Sequence, residues 1–176
     1  MNKNSIINTL YDFASILLTA IIAVSIVFSF FFKISTVNGE SMENTLHHGD
    51  TLLITAVDTE VKNGDVVVTS QPNGYNDLIL IKRVIATGGQ TISFNEKTKE
   101  VLVDGIPLEE DYIKEDMKFL FYMKHSYTVP EGKLFVMGDN RNNSADSRDP
   151  RIGMIDERYV VGKVIYKFGD TKLFNS

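Results

Sequence analysis

Apolar residues along this chain follow two regimes that meet near residue 33. From Phe13 to Phe32 there are 20 consecutive residues without a charge or a proline. A helix rises about 1.5 Å per residue, so such a run spans about 30 Å, the thickness of a hydrocarbon core. Asp12 and Lys33 bracket it, and Tyr11 offers an interfacial anchor. Beyond Lys33 the apolar positions come in short groups rich in β-branched and aromatic residues. These predict strands over 51–55, 65–69, 78–85, 91–94, 100–103, 133–137 and 159–168. Asn63-Gly64-Asp65, Pro72-Asn73-Gly74, Gly88-Gly89 and Asp104-Gly105 punctuate them, and 94–101 has the pattern of a hairpin with a polar tip. No long stretch of this part keeps a helical period. Short helical turns are expected after Ser41 and around 156–158.

The expected fold class is mostly β: a tail over 1–12, a transmembrane helix over 13–32, and one β-rich domain over 34–176. A cleaved secretory signal is the competing reading of the apolar run, with Val37-Asn38-Gly39 as a weak cleavage site. The run exceeds the usual core of about 7–15 residues, and only Lys3 leads it, so a retained single-pass anchor is expected. Lys3 and Lys33 balance each other across the span, so charge leaves the orientation open.

Composition narrows the function. The chain carries 18 basic and 23 acidic side chains, a net charge of −5, which gives no basic excess to displace phosphate counterions. No nucleic-acid partner is expected. Cysteine is absent, which removes disulfides, thiol nucleophiles and zinc-thiolate sites together.

Three features carry candidate chemistry. Ser41 follows Gly39-Glu40 just past the apolar run. It can be a helix-capping serine, since Asn44 lies three positions on, or a nucleophile awaiting a base. Gly-x-Ser-x-Gly is not matched, because Glu43 stands at the last glycine. Lys82 lies inside 78–85, where alternation places it with Leu78, Leu80 and Val84, and Arg83 with Ile79, Ile81 and Ile85. Both faces are apolar, so the strand is expected to be covered on both sides. Burial would lower the lysine pKa toward the range of a general base; the plain alternative is a lysine that snorkels at a strand end.

The third feature is the loop over 138–148, Gly-Asp-Asn-Arg-Asn-Asn-Ser-Ala-Asp-Ser-Arg, dense in hydrogen-bonding groups after an apolar strand. Arg141 falls where a calcium ligand would be needed, two positions after Asp139. Asn142-Asn143-Ser144 matches a glycosylation acceptor, a triplet frequent by chance. A triad would need His47, His48 or His125, and adjacent His47 and His48 diverge from a shared face, which disfavours both a triad and a metal site with Asp50.

Taken together, Gly39-Glu40-Ser41-Met42, Thr45-Leu46, Gly49-Asp50, Lys82-Arg83-Val84 and the 138–148 block resemble bacterial type I signal peptidase, in its single-anchor Gram-positive form. The resemblance implies a catalytic core of conjoined antiparallel sheets and serine endopeptidase activity on signal peptides of exported preproteins, without cofactor or metal. It implies Ser41 as nucleophile and Lys82 as general base. It implies Ser144 orienting the lysine amine, Asp146 paired with Arg148, and Asp139 and Arg83 in support. It further implies a cell-membrane location with the catalytic domain on the extracytoplasmic face, contact with the lipid bilayer and proximity to the secretion translocon. Asn44 stands where many members have proline. Gly39 stands where some use a hydroxyl as second oxyanion donor. The alternatives are a non-catalytic signal-peptidase-like protein that assembles surface structures, and a self-cleaving serine–lysine domain like that of the SOS repressors. An apolar stretch at 119–123 is expected to be either a lipid-touching patch or a core strand.

Overall fold

The computed structural model describes residues 3–55, 60–72, 77–118 and 123–169. It opens with helix α1 (Lys3–Phe31), whose side chains over 4–31 are all exposed. Helix thus begins ten residues before the charge-free run, within the expected tail over 1–12. Asn4, Asn8 and Asp12 interrupt the apolar pattern but not the backbone, since a polar residue costs a helix only a few tenths of a kcal/mol (about 0.7 at most). At the other end Phe32 is not helical. It begins β1 (Phe32–Thr36), which pairs with β2 (Thr51–Thr55) through Phe32↔Thr55 and Thr36↔Thr51. An apolar run cannot by itself mark where helix gives way to strand.

The remaining strands are β3 (Val66–Pro72), β4 (Asp77–Ala86), β5 (Thr91–Phe94), β6 (Val101–Val103), β7 (Ile106–Pro107), β8 (Ser126–Thr128), β9 (Lys133–Met137), β10 (Ile155–Asp156) and β11 (Val160–Lys167). All seven predicted strands are present, and the expected helical turn after them is the single 3₁₀ turn Glu157–Tyr159. β1, β7, β8 and β10 lie outside the sequence expectation. They are short or polar, and their partners rather than their own pattern hold them extended.

Among the described residues the strands form two antiparallel sheets. One has seven strands in the order β1-β2-β11-β3-β4-β9-β10, and the other four in the order β7-β6-β5-β8. The hairpin over 94–101 joins β5 to β6 through Phe94↔Val101. β11 bulges between Val160 and Gly162, where a Cβ on Gly162 would strike the Thr55 carbonyl and the Ile54 side chain; only glycine admits that approach.

Three apolar clusters fill the interior. Ile85, Ile92, Phe94, Val101, Phe135 and Met137 pack beneath the four-stranded sheet. Met42 and Leu46, from the turn after Ser41, pack with Leu52, Ile54, Val66 and Val68 on one face of the larger sheet. Val67, Val84, Leu134, Val136 and Ile155 occupy its other face. Met123 belongs to the first cluster, while 119–122 of the expected apolar stretch lie outside the described residues.

One expectation for β4 needs correction. Its second half is buried, but Ile79 is 67% exposed. β3 pairs with β4 from Asp77 to Arg83, whereas β9 pairs only with Arg83, Val84 and Ala86. Residues 79–82 thus present an edge with no strand partner among the described residues.

Candidate active site

The free edge of β4 ends at Lys82. Lys82 pairs across the sheet with Val67, so its side chain starts among Val67, Leu80 and Val84. It is 3% exposed. Its Nζ lies 2.7 Å from Ser41 Oγ and donates to the Ile81 carbonyl at 3.0 Å. Burial pushes the ammonium down from 10.5 to about 8, against the pull of Asp146 and Asp139 and with the help of Arg148. Lys82 and Ser41, 41 residues apart, are thus in direct contact through a hydrogen bond.

Ser41 is presented by a closed loop. Val37 N–H donates to the Asp50 carbonyl and Gly49 N–H to the Val37 carbonyl, both at 2.9 Å. Gly39 sits at φ +108°, open to glycine and strained for other residues. Next to Ser41, buried Met42 and Leu46 anchor the turn in the core, and Leu46 N–H closes it on the Met42 carbonyl at 2.8 Å. Ser41 does not cap that turn; its hydroxyl is engaged by Lys82. Among the described residues no hydrogen bond uses the Ser41 N–H, whereas Gly39 N–H donates to His48 Nδ1 at 3.2 Å.

The loop over 138–148 clamps Ser41 from the other side. Asn140 donates its N–H to the Ser41 carbonyl and its side-chain amide to the Glu40 carbonyl, each at 3.0 Å. A Cβ on Gly138 would collide with the Ser41 carbonyl and the Ser144 hydroxyl, so the loop can lie this close only with glycine there. Two buried ion pairs hold it. Arg83 donates from Nε and Nη2 to Asp139 at 2.9 and 2.7 Å, and Arg148 likewise to Asp146 at 2.8 and 2.7 Å. Burial alone would raise the Asp146 carboxyl. Arg148, the Gly138 N–H and the Ser144 hydroxyl hold it below the usual carboxylate range.

The candidate residues therefore fall at one location. The Ser144 hydroxyl, expected at the Lys82 amine, donates to Asp146 Oδ2 at 2.7 Å, a bond that leaves its oxygen lone pairs able to accept. Three contributors escaped the sequence reading: Asn140, the Thr45 hydroxyl that donates to Asp139, and His48 at the Gly39 N–H. Only their proximity to Ser41 or Asp139 hinted at them.

A cleft runs past Ser41. On one side it is lined by Ser35 to Asn38 facing Ile79 to Lys82, and it continues to His48, Asn143 and Ala145. The strand edge over 79–82 forms one wall of this cleft.

Known proteins share the sequence pattern of this chain. The sequence pattern of signal peptidase, peptidase S26, matches residues 10–168. Signal peptidase I of Bacillus licheniformis is 31% identical over 171 residues, covering 92% of this chain and 89% of that protein. Signal peptidase I T of Bacillus subtilis (strain 168) is 33% identical over 172 residues, covering 92% and 86%. A probable signal peptidase I-1 of Synechocystis sp. is 38% identical over 138 residues, covering 73% and 67%. A crystal structure of a signal peptidase I from Enterococcus faecalis V583 superposes with a TM-score of 0.47 and 28% identity, over 60% of this chain and 97% of that one. The chain belongs to the signal peptidase family, peptidase S26, and is a serine endopeptidase of the class that removes signal peptides.

Proposed function

We propose that this chain is a membrane-anchored signal peptidase in which Ser41 is the nucleophile and Lys82 the general base. The observation that carries the reading is the 2.7 Å contact between Lys82 Nζ and Ser41 Oγ, with the amine buried and its pKa lowered to about 8. At pH 7 that leaves about a tenth of the amine neutral, against less than about a thousandth for an ordinary lysine. Neutral Lys82 accepts the Ser41 proton as Oγ attacks the scissile carbonyl. The Ser41 N–H donates to the oxyanion as it forms. The lysine ammonium then protonates the leaving amine, and the ester to Ser41 remains. Water, deprotonated by the same amine, hydrolyses that ester and restores both groups.

Asp146 and Arg148, with Asp139 and Arg83, act by holding the two backbones that carry these groups. Ser144 acts through Asp146. The free edge of β4 over 79–82 supports binding of the preprotein as an added strand, presenting alternate side chains to the cleft. Helix α1 is one apolar span with no buried side chains in the protein, which supports a single-pass anchor in the cell membrane. The catalytic domain lies on the extracytoplasmic face, in contact with lipid and near the translocon, a reading supported by the resemblance to single-anchor signal peptidases. Tethering there raises the effective concentration of signal peptides leaving the bilayer. The non-catalytic assembly reading finds no support in the relatives, which are named as signal peptidases.

The test is mass-spectrometric mapping of products from a preprotein incubated with the detergent-solubilised full chain, beside Ser41→Ala and Lys82→Ala. One cut after the signal peptide is expected from the wild type, and loss of about a thousandfold or more in each variant. A Lys82→Ala variant with near-normal turnover removes the assigned base.

A further inference from the structure

The 138–148 loop is held not only from within. Residues 110–118 follow the last strand of β6–β7 in the smaller sheet, yet they run along this loop of the larger one. Four sets of contacts attach them. Glu110 takes both guanidinium ends of Arg141, through Arg141 Nη1 at 2.9 Å and Nη2. Lys114 N–H donates to the Asp139 carbonyl at 3.1 Å. Asn142 accepts from Lys118 N–H at 2.8 Å and donates to the Asp116 carbonyl at 2.9 Å. Lys114 Nζ meets Glu43, in the turn after Ser41, at 2.6 Å.

At the centre of this strap lies a compact arrangement of charge and ring. Arg141 is 1% exposed, and its Nε donates to the Gly138 carbonyl at 3.1 Å. Tyr112 donates its hydroxyl to Glu110 at 3.0 Å. The Tyr112 ring carries the Arg83 guanidinium 4.0 Å from its centroid and Arg141 at 5.9 Å. Two cations therefore share one ring while Asp139 and Glu110 neutralise them, one carboxylate each. Burial and the neighbouring Glu110 raise the Tyr112 pKa, so its hydroxyl stays a donor.

We propose that Glu110 and Tyr112 are positioning residues for catalysis: through Arg141 and Arg83 they hold Gly138 and Asp139, and thereby the loop that grips the Ser41 carbonyl beside Lys82. The clamp rests on the Ser41–Lys82 reading above. Neither residue reaches the cleft, so neither touches substrate. Their contribution is geometric: Gly138 has no clearance against Ser41 and Ser144, so a shift of the loop moves the Ser41 backbone. Misplacement by about 1 Å is worth about a hundredfold when it falls on reacting groups.

A purely structural role makes a different prediction, and two pairs of variants separate them. Glu110→Met with Arg141→Met replaces a buried ion pair by apolar side chains, an exchange that leaves stability equal or higher in comparable cases. It removes the hold on the Gly138 carbonyl. A thermal midpoint at or above that of the wild type, with kcat down by more than about fivefold and KM within about threefold, is expected. Tyr112→Phe keeps the π face, and Tyr112→Leu removes it. Phe at 112 should retain most of kcat, and Leu should lose it. If the double variant melts early, the Tyr112 pair decides. Turnover within about fivefold of the wild type in a folded double variant, or equal turnover in Tyr112→Phe and Tyr112→Leu, overturns the clamp. Wild-type protein that cuts no preprotein, or Ser41→Ala that cuts as well, overturns the underlying reading instead.

Discussion

Helix α1 and the 138–148 loop invert the usual relation between polarity and burial. Over residues 4–31 the helix is almost wholly apolar and every side chain is exposed. In the loop Asp139, Asn140, Arg141, Asp146, Ser147 and Arg148 are all buried. Each is stable for its own reason. The helix satisfies its backbone internally, so its apolar surface is at ease only in lipid. The loop meets its charges by fixed partners, at least two bonds from each guanidinium, although Arg148 Nη1 is buried without one. In these two regions burial follows whether a group's partners are present rather than its hydrophobicity.

The comparison can be broken most sharply at its buried end. Asp146→Asn leaves Arg148 inside without its carboxylate, and a broken buried pair costs about 3–5 kcal/mol. Thermal melts should drop by many degrees and cleavage should fall with them. An unchanged midpoint would mean that the pair is not what holds the loop. At the opposite end, Ile22→Arg puts a charge near the middle of the apolar span, at about 2.5–3.5 kcal/mol against insertion. Membrane-fractionated protein should decrease, while the protein that remains soluble keeps its cleavage of a short peptide. Equal loss of both activities would link the helix to the site directly.

Lys82 lies between these extremes, a buried charge whose function requires the neutral form. Its pKa falls from 10.5 unfolded to about 8 folded, so between those values the unfolded chain binds more protons and stability rises with pH. Below about pH 8 the whole penalty is present and constant. Lys82→Met should accordingly abolish cleavage yet raise stability at pH 7 by about 1–3 kcal/mol, with the gain fading toward pH 10.5. Denaturant titration at pH 7 and pH 10 checks the sign. In the wild type, kcat/KM should climb through pH 8 as the amine loses its proton; a flat profile would remove the assigned base.

The smallest effect is expected at His48, exposed in the cleft. Its Nδ1 accepts the Gly39 N–H, and His48→Phe frees that donor at a cost of about 0.5–1.5 kcal/mol. A few-fold change in kcat with a melting temperature lower by no more than a few degrees is expected.

Much of the architecture was legible in the chain. Seven of the strands follow from β-branched runs bounded by Asn-Gly and Gly-Gly turns, because a strand buried on one or both faces must carry that pattern. Strands β1, β7, β8 and β10 were not legible, since their conformation comes from pairing. Where the helix begins was not legible either, because scattered polar residues do not stop a helical backbone. Among site residues, Lys82 was conspicuous as a charge inside an apolar strand, and 138–148 as a polar block after one. Glu110 and Tyr112 were invisible because the guanidinium partner of Glu110, Arg141, lies 31 residues away and that of Tyr112, Arg83, on β4 of the other sheet.

What the amino-acid order settled by itself was local: a span long enough for a bilayer, a set of strands, and the residue types able to do acyl transfer. Which of those residues meet was decided only in three dimensions. A strand places Lys82 and a loop closed on Asp50 places Ser41. Their 2.7 Å separation is the product of a sheet that brings positions 41 residues apart together. Folding also settled the Ser144 contact, its hydroxyl donating to the buried, arginine-bound Asp146 carboxylate.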